Sequence, residues 1–489
     1  MLFNTFSFFA VFLPLTLLVY FLCSRYSLRG SIVALLLASV AFYCYWDIRF
    51  FPILAGSICC NFWMGRKISD LHAAGDLLSA KRWLIVGLVA NLSLLVFFKY
   101  FDFLLGNFSL LIGRPYQQLG LALPIGISFF TFTQIAYLVD CNAGKVRETK
   151  PESYGLFVTY FPHLIAGPIL HHKEMMPQFD QPDSHVFSRG RLILGLLFFT
   201  SGLFKKVVLA DGVARYVGPV FDVSQGNLTM LEGWAGALSY TFQLYFDFSA
   251  YSDMAYGLSY MFGIVLPINF NSPYQSRSII EFWRRWHITL STFLRDYLYI
   301  PLGGNRDGDA RRYLNLVITM LLGGLWHGAN WTFVIWGGLH GFYLVCNHGL
   351  RHLLAGRDNW CIRVLGTLLT LLAVVVGWVF FRANSVASAC AILKAMAGGT
   401  MLSVSGASLG INRIMDVNNC LVWLAACAAI TFLMPNIYQV LGTGLRREQE
   451  RRLEQGLGGM LLGALLLLSA LLLAISETRG VSEFLYFNF

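Results

Sequence analysis

Along the chain, apolar runs of about twenty residues alternate with short polar links, the pattern expected of helices that each cross a bilayer. Taken at that length, the runs predict spans near 5–23, 31–51, 83–99, 119–139, 153–170, 190–209, 233–261, 313–326, 330–350, 361–382, 419–437 and 457–475. The runs 50–64 and 101–112 are too short or too polar to cross in the ordinary way and are expected to be re-entrant or interfacial. The opening residues Met1-Leu2-Phe3-Asn4-Thr5 lack the basic stretch of a cleaved leader, so the first run is expected to remain as a membrane helix.

Charge sets the orientation. Arg25 and Arg29 in the first link, Arg66, Lys67, Lys81 and Arg82 in the next long one, and Arg446, Arg447, Arg451 and Arg452 near the end should face the cytoplasm. With these basic links on the cytoplasmic side, about eleven crossings are expected. The expected fold class is an all-α integral membrane protein, a multi-pass helical bundle with additional re-entrant or interfacial helices. There is no internal repeat, and the polar stretches 171–189 and 271–312 are too short to be soluble domains, so residues 1–489 are expected to form one membrane domain.

Composition narrows the function classes. Only 13% of the 489 residues are charged, where soluble domains carry about 25%; 56% are hydrophobic and the mean hydropathy is +0.60. That excludes an ordinary soluble enzyme, a disordered chain and a small disulfide scaffold. The net charge of +10 resides in short basic runs beside apolar stretches, which suits anionic lipid headgroups rather than nucleic acid. The ten cysteines are scattered, with no spacing suited to a metal site, and are expected to serve as small buried hydrophobes.

The candidate chemistry lies in two places. The stretch 271–312 holds seven arginines, Arg277, Arg284, Arg285, Arg295, Arg306, Arg311 and Arg312. Within it, Glu281-Phe282-Trp283-Arg284-Arg285-Trp286-His287-Ile288-Thr289-Leu290 places Phe282, Trp286 and Leu290 on one helical stripe, predicting an amphipathic helix at an interface or a cytoplasmic vestibule. The second place is Gly323-Gly324-Leu325-Trp326-His327-Gly328-Ala329-Asn330-Trp331, where small residues flank a histidine at membrane depth. A neutral imidazole there can take a proton from a hydroxyl or thiol; from the spacing alone, a structural histidine bonded to a neighbouring helix is the favoured reading, since glycine-flanked polar residues are common in helix packing. His287 is the second candidate, while His163, His171, His172 and His340 have no metal-type spacing. Asp247 and Asp253 are expected to face an aqueous cavity or an arginine and so to fix the arginine-rich segment; Lys205, Lys206 and Asp211 are expected to be interfacial anchors. No phosphate-binding glycine loop, dinucleotide fingerprint or serine elbow is present in the sequence.

A series of short motifs in a fixed order carries a resemblance close to full length. They are the start from Phe6 and Phe8 through Tyr20, Leu123-Pro124-Ile125-Gly126-Ile127-Ser128-Phe129, Tyr160-Phe161-Pro162-His163-Leu164-Ile165-Ala166-Gly167-Pro168-Ile169, Phe242 to Met254, Phe282 to Gly304, Leu325-Trp326-His327-Gly328, and the aromatic close Phe484-Leu485-Tyr486-Phe487-Asn488-Phe489. In these the sequence resembles the membrane-bound O-acyltransferase family, and within it the bacterial branch that includes the membrane subunits of alginate O-acetylation. Ala250 stands where related sequences often have Gly, and Phe293 where many have Trp.

The resemblance implies a bundle around an acyl tunnel across the inner membrane, with His327 as the active histidine and His287 as its second. It further implies acetyl-CoA as the donor substrate, no resident cofactor and no metal. Arg284, Arg285 and Arg295 would gather the CoA phosphates, since arginine forks pair bidentately with phosphate; Trp283 and Trp326 would complete the substrate-binding set and exclude water. The expected acceptor is an exopolysaccharide such as alginate or cellulose, reached through a periplasmic SGNH-type acetyltransferase. Peptidoglycan O-acetylation and teichoic-acid D-alanylation are the alternatives within the fold. A transporter or flippase is the alternative outside it, against which stands the lack of repeat symmetry.

Overall fold

The structure, a computed structural model, describes residues 1–222, 228–354, 359–398, 417–444, 447–455 and 458–488. Helix is the only regular structure among them. Eight helices are long and apolar enough to cross a membrane: Ser7–Ser24, Leu28–Trp46, Ile48–Ala73, Leu77–Ile112, Arg189–Ala214, Trp360–Arg382, Asn418–Leu441 and Gly458–Thr478. Spans predicted at 119–139, 233–261, 313–326 and 330–350 form the helices Ile127–Asn142, Met230–Met261, Gly308–His327 and Trp331–Leu354, which stand outside that set, Ile127–Asn142 because it is only 16 residues long. Arg446 of the basic cluster and Phe489 of the aromatic close lie outside the described residues.

Three sequence expectations change. The run 50–64 is part of the 26-residue helix Ile48–Ala73 rather than a re-entrant piece. Its polar Asn61 is matched by Asn91 of the following helix, the two amides exchanging hydrogen bonds of 2.7 and 3.2 Å, so the polarity that argued against a crossing is neutralised inside the protein. The run 101–112 continues the helix from Leu77 through a π-turn at Val96–Tyr100 and stops where Gly113 takes a left-handed φ of 66°. The predicted span 153–170 holds only the nine-residue helix Pro151–Thr159, ended by tight turns at 161–166.

The described residues cluster into two compact units. The first comprises Met1–Leu203, Tyr251–Ile268 and Thr443–Asn488. Here Phe51–Ala73, Leu77–Leu95 and Ile127–Asn142 pack closely because glycines face large side chains: a Cβ on Gly65 would lie 2.3 Å from the Tyr137 ring, and one on Gly87 2.6 Å from Leu138. Its centre is aromatic. Phe3 touches Phe8, Phe42 and Tyr251 at centroid distances of 4.9, 5.8 and 5.0 Å, and Tyr251 meets Phe484 at 5.1 Å.

The second unit comprises Phe204–Ala250 and Asn269–Gly442. Its spine is the hairpin of Gly308–His327 and Trp331–Leu354, closed by Gly328-Ala329-Asn330 with the Asn330 side chain accepting from Thr332 N–H at 3.1 Å. The two backbones touch: a Cβ on Gly324 would lie 2.3 Å from the Phe333 carbonyl oxygen, and one on Gly337 2.3 Å from that of Met320. A membrane interior offers no hydrophobic drive for helix association, so such close packing supplies the attraction. Gly337→Val should therefore lower the melting temperature of the purified protein in detergent, at a cost of about 1–3 kcal/mol or more. Gly338→Ala, whose added carbon would meet only Leu321 at 3.5 Å, should leave it unchanged; equal melting of the two variants would refute the contact's importance.

Candidate active site

The predicted continuous helix through 281–290 is broken. Ser278 caps Ile279–Arg285, Trp286 is extended, His287 takes a left-handed φ of 42°, and a second helix runs Ile288–Leu294. A left-handed histidine costs roughly 1–2 kcal/mol, and the preceding segment holds it there. Asn271 N–H donates to the Arg285 carbonyl at 2.9 Å, and Ile288 N–H to the Asn269 carbonyl at 3.0 Å, so the break leaves these backbone groups satisfied. The stripe of Phe282, Trp286 and Leu290 is buried, which corrects the interfacial expectation: this segment is packed inside the protein and not laid on a surface.

The same segment fixes the state of His287. Thr289 N–H and Oγ1–H both point at Asn269 Oδ1, at 3.3 and 3.0 Å. A backbone N–H can only donate, so that atom is the amide oxygen, and His287 Nδ1, 3.1 Å from it, carries its proton there. Nε2 is then the lone-pair nitrogen of a neutral ring. His287 is completely buried, with Phe248 edge-on at 4.7 Å.

His327 reaches the same place from the hairpin, as the last residue of its helix and 3% exposed. The Trp326 ring contacts both histidines, with centroids 6.4 Å from His287 and 4.9 Å from His327. Trp336 and Phe381 close on His327 at 5.1 and 5.0 Å. Behind them Trp378 stacks on Trp336 at 5.9 Å, and its indole N–H donates to Tyr274 Oη at 3.2 Å, whose hydroxyl donates to the Thr241 carbonyl at 2.7 Å. The result is a rigid aromatic enclosure around two imidazoles, suited to proton transfer away from bulk water.

Of the residues expected in the site, His287, His327, Trp326 and Trp283 belong to this buried cluster, Trp283 meeting Trp336 at 5.9 Å. The arginines stay at the surface. Arg284 is exposed, Arg285 pairs with Glu281 at 2.7 Å, and Arg295 pairs with Asp296 at 2.6 Å with 60% of its side chain exposed. Asp247 is matched by lysine rather than arginine: Lys206, only 2% exposed, donates to Asp211 and Asp247 at 2.9 Å each. Lys206 is thus part of a buried ion triad and not an interfacial anchor. Asn269, Trp336, Phe381 and His340 are additional; the polar Asn269-Phe270-Asn271-Ser272-Pro273 run ahead of the arginine-rich segment was the signal available for the first.

Comparison with known proteins identifies the family. The profile of the membrane-bound O-acyltransferase (MBOAT) family matches residues 151–390. A peptidoglycan O-acetyltransferase of Helicobacter pylori is 42% identical over 100% of this chain and 98% of its own length. A probable alginate O-acetylase of Azotobacter vinelandii is 44% identical over 81% of this chain and 78% of its own, and a teichoic acid D-alanyltransferase of Streptococcus thermophilus 30% over 46% and 56%. This chain therefore belongs to the membrane-bound O-acyltransferase family, and is a multi-pass acyltransferase of the inner membrane.

Proposed function

We propose that the protein takes the acetyl group of cytoplasmic acetyl-CoA and passes it across the membrane for O-acetylation of an extracytoplasmic glycan, through a periplasmic SGNH-type acetyltransferase. The observation that carries this reading is that His287 and His327 both contact the buried Trp326 ring. His327 acts as general base. It takes the proton of the attacking hydroxyl, the oxygen forms its bond to the thioester carbon, the carbon–sulfur bond breaks, and the thiolate leaves with the proton returned from His327. His287 presents its Nε2 lone pair and assists that proton's movement. No resident cofactor or metal is invoked.

The surface arginines supply the donor end. Arg284, Arg285 and Arg295 would hold the phosphates of CoA, the carboxylates now paired with Arg285 and Arg295, Glu281 and Asp296, lying at half-buried positions from which a phosphate would have to displace them. As to the glycan, the match to the peptidoglycan enzyme runs through both proteins from end to end, whereas the alginate relative matches 78% of its length. That favours peptidoglycan over alginate as acceptor, and supplying each polymer with the partner protein tests the order.

The first measurement is thiol release from acetyl-CoA by purified protein in detergent. His327→Ala should reduce turnover by about 10²–10⁴-fold, the usual contribution of a positioned base, while the variant stays folded; equal release would return His327 to a structural role. Asn269→Ala, which frees the His287 ring, should lower kcat roughly tenfold with little change in donor KM, and Asn269→Asp, which keeps an acceptor oxygen, should recover most of it. Replacing Arg284 and Arg295 together by Ala should raise the KM for acetyl-CoA about tenfold and leave kcat nearly untouched; an unchanged KM would remove them from the donor site.

A further inference from the structure

The first unit holds an open cavity of about 370 Å³ that plays no part in the acyl-transfer chemistry, lined by Leu28, Arg29, Ile32 and residues 149–153 and 180. Leu28 and Ile32, one turn apart, lie at the start of the membrane-crossing helix Leu28–Trp46. Arg29 belongs to the basic link that faces the cytoplasm by the positive-inside rule. The cavity is therefore at the level of the cytoplasmic lipid headgroups. The residues lining it from further along the chain lead into the short helix Pro151–Thr159.

Four ionised side chains line the cavity in two pairs. Arg29 Nε meets Glu152 at 2.7 Å, and Lys150 Nζ meets Asp180 at 2.7 Å. Arg29 is 75% exposed, and Lys150 and Asp180 are half-exposed, so these pairs are weak and open to exchange. Together they give the lining no net charge. A simple anion would gain from Arg29 and Lys150 and lose to Glu152 and Asp180, whereas a ligand bearing both signs replaces one favourable pairing by another at each end.

The phosphate end of such a ligand has further donors. No side chain caps the helix Pro151–Thr159, and its first backbone bond runs from Tyr154 N–H to the Lys150 carbonyl at 3.1 Å. The N–H groups of Glu152 and Ser153 thus stand at the positive end of the helix with no partner inside it, the arrangement that favours phosphate. Ser153 lines the cavity, is 1% exposed, and its hydroxyl has no hydrogen-bond partner among the described residues. Leu28 and Ile32 offer apolar surface to the glycerol and first methylenes of a lipid.

We infer that this cavity binds the headgroup of a zwitterionic phospholipid with a primary ammonium, of the phosphatidylethanolamine class. Its phosphate is held by Arg29, Lys150, Ser153 and the helix start, and its ammonium by Asp180 and Glu152. The bound lipid joins Pro151–Thr159 to Leu28–Trp46, which pack against each other within the same unit. This site is independent of the acyl-donor reading.

The test adds phosphatidylethanolamine, phosphatidylglycerol or phosphatidylcholine of identical acyl chains to full-length protein in detergent, and records retained lipid by native mass spectrometry and the melting temperature. Wild type should retain phosphatidylethanolamine about fivefold better than either of the others and melt higher with it. Asp180→Asn should lose the preference over phosphatidylcholine, whose trimethylammonium has no N–H, and should favour phosphatidylglycerol, because the lining then carries net positive charge. Arg29→Gln and Ser153→Ala should each weaken retention of phosphatidylethanolamine, while Arg66→Gln, outside the cavity, should not. Melting in lipid-free detergent identifies any variant that fails to fold, and Arg29 and Asp180 are exposed enough that their variants should match wild type there. Wild-type preference for phosphatidylglycerol would make this an anion site, equal retention by all variants would place the lipid elsewhere, and displacement of the lipid by CoA would assign the cavity to the donor; each overturns the proposal.

Discussion

A chain surrounded by hydrocarbon must satisfy its backbone polar groups internally, each failure costing several kcal/mol. That constraint governs the break at Trp286 and His287. Two backbone bonds from the Asn269–Asn271 segment to Arg285 and Ile288 take up groups that a continuous helix would have paired along its own axis. With them in place the chain can change direction inside the protein, and the imidazole at the corner is aimed inward from a left-handed residue. The Asn269 side chain then settles the tautomer of the same ring. Backbone pairing, side-chain direction and proton position all depend on one short stretch of polar sequence.

The hairpin solves the complementary problem for His327. A histidine at the end of a membrane helix is held in place only if the helix cannot slide or rotate, and glycines at positions 324 and 337 let the two backbones approach to contact. Large aromatics then fill the space beside the contact. Trp326, Trp336, Trp378 and Phe381 have few rotatable bonds, so their enclosure is rigid at small entropic cost. The hydrogen bonds from Trp378 to Tyr274 and from Tyr274 to Thr241 tie that enclosure to the backbone of another helix. The site is accordingly built on helices and a pinned corner, with no long loop contributing a reacting group.

Much of this was legible in the sequence, and the boundary is a physical one. Apolar length alone predicts a helical membrane bundle, and the glycine-flanked histidine announces itself by the cost of placing it there. Periodicity cannot distinguish a continuous helix at 281–290 from two short helices, since Phe282, Trp286 and Leu290 are buried in either case; what decides is a pairing with residues 269–271, which are distant along the chain. Asn61 counted against a crossing at 50–64 because its partner Asn91 lies in the next helix. Lys206 read as an anchor because Asp247, the buried one of its two carboxylates, lies far along the chain in another helix. His340 offered no spacing at all, and the rings that bury it come from Phe282, Trp283 and Trp378, which are distant in sequence.

The treatment of buried polarity separates scaffold from site. Lys206 is set between two carboxylates, as it must be, because an uncompensated charge in a low-dielectric interior is prohibitive. His163, His172 and His185 are likewise given partners by the protein. The Trp283 and Trp336 indoles and the His340 ring are instead packed among aromatic rings with no hydrogen-bond partner among the described residues, at a cost of order 1–3 kcal/mol per group that a neutral donor can bear and an uncompensated charge cannot.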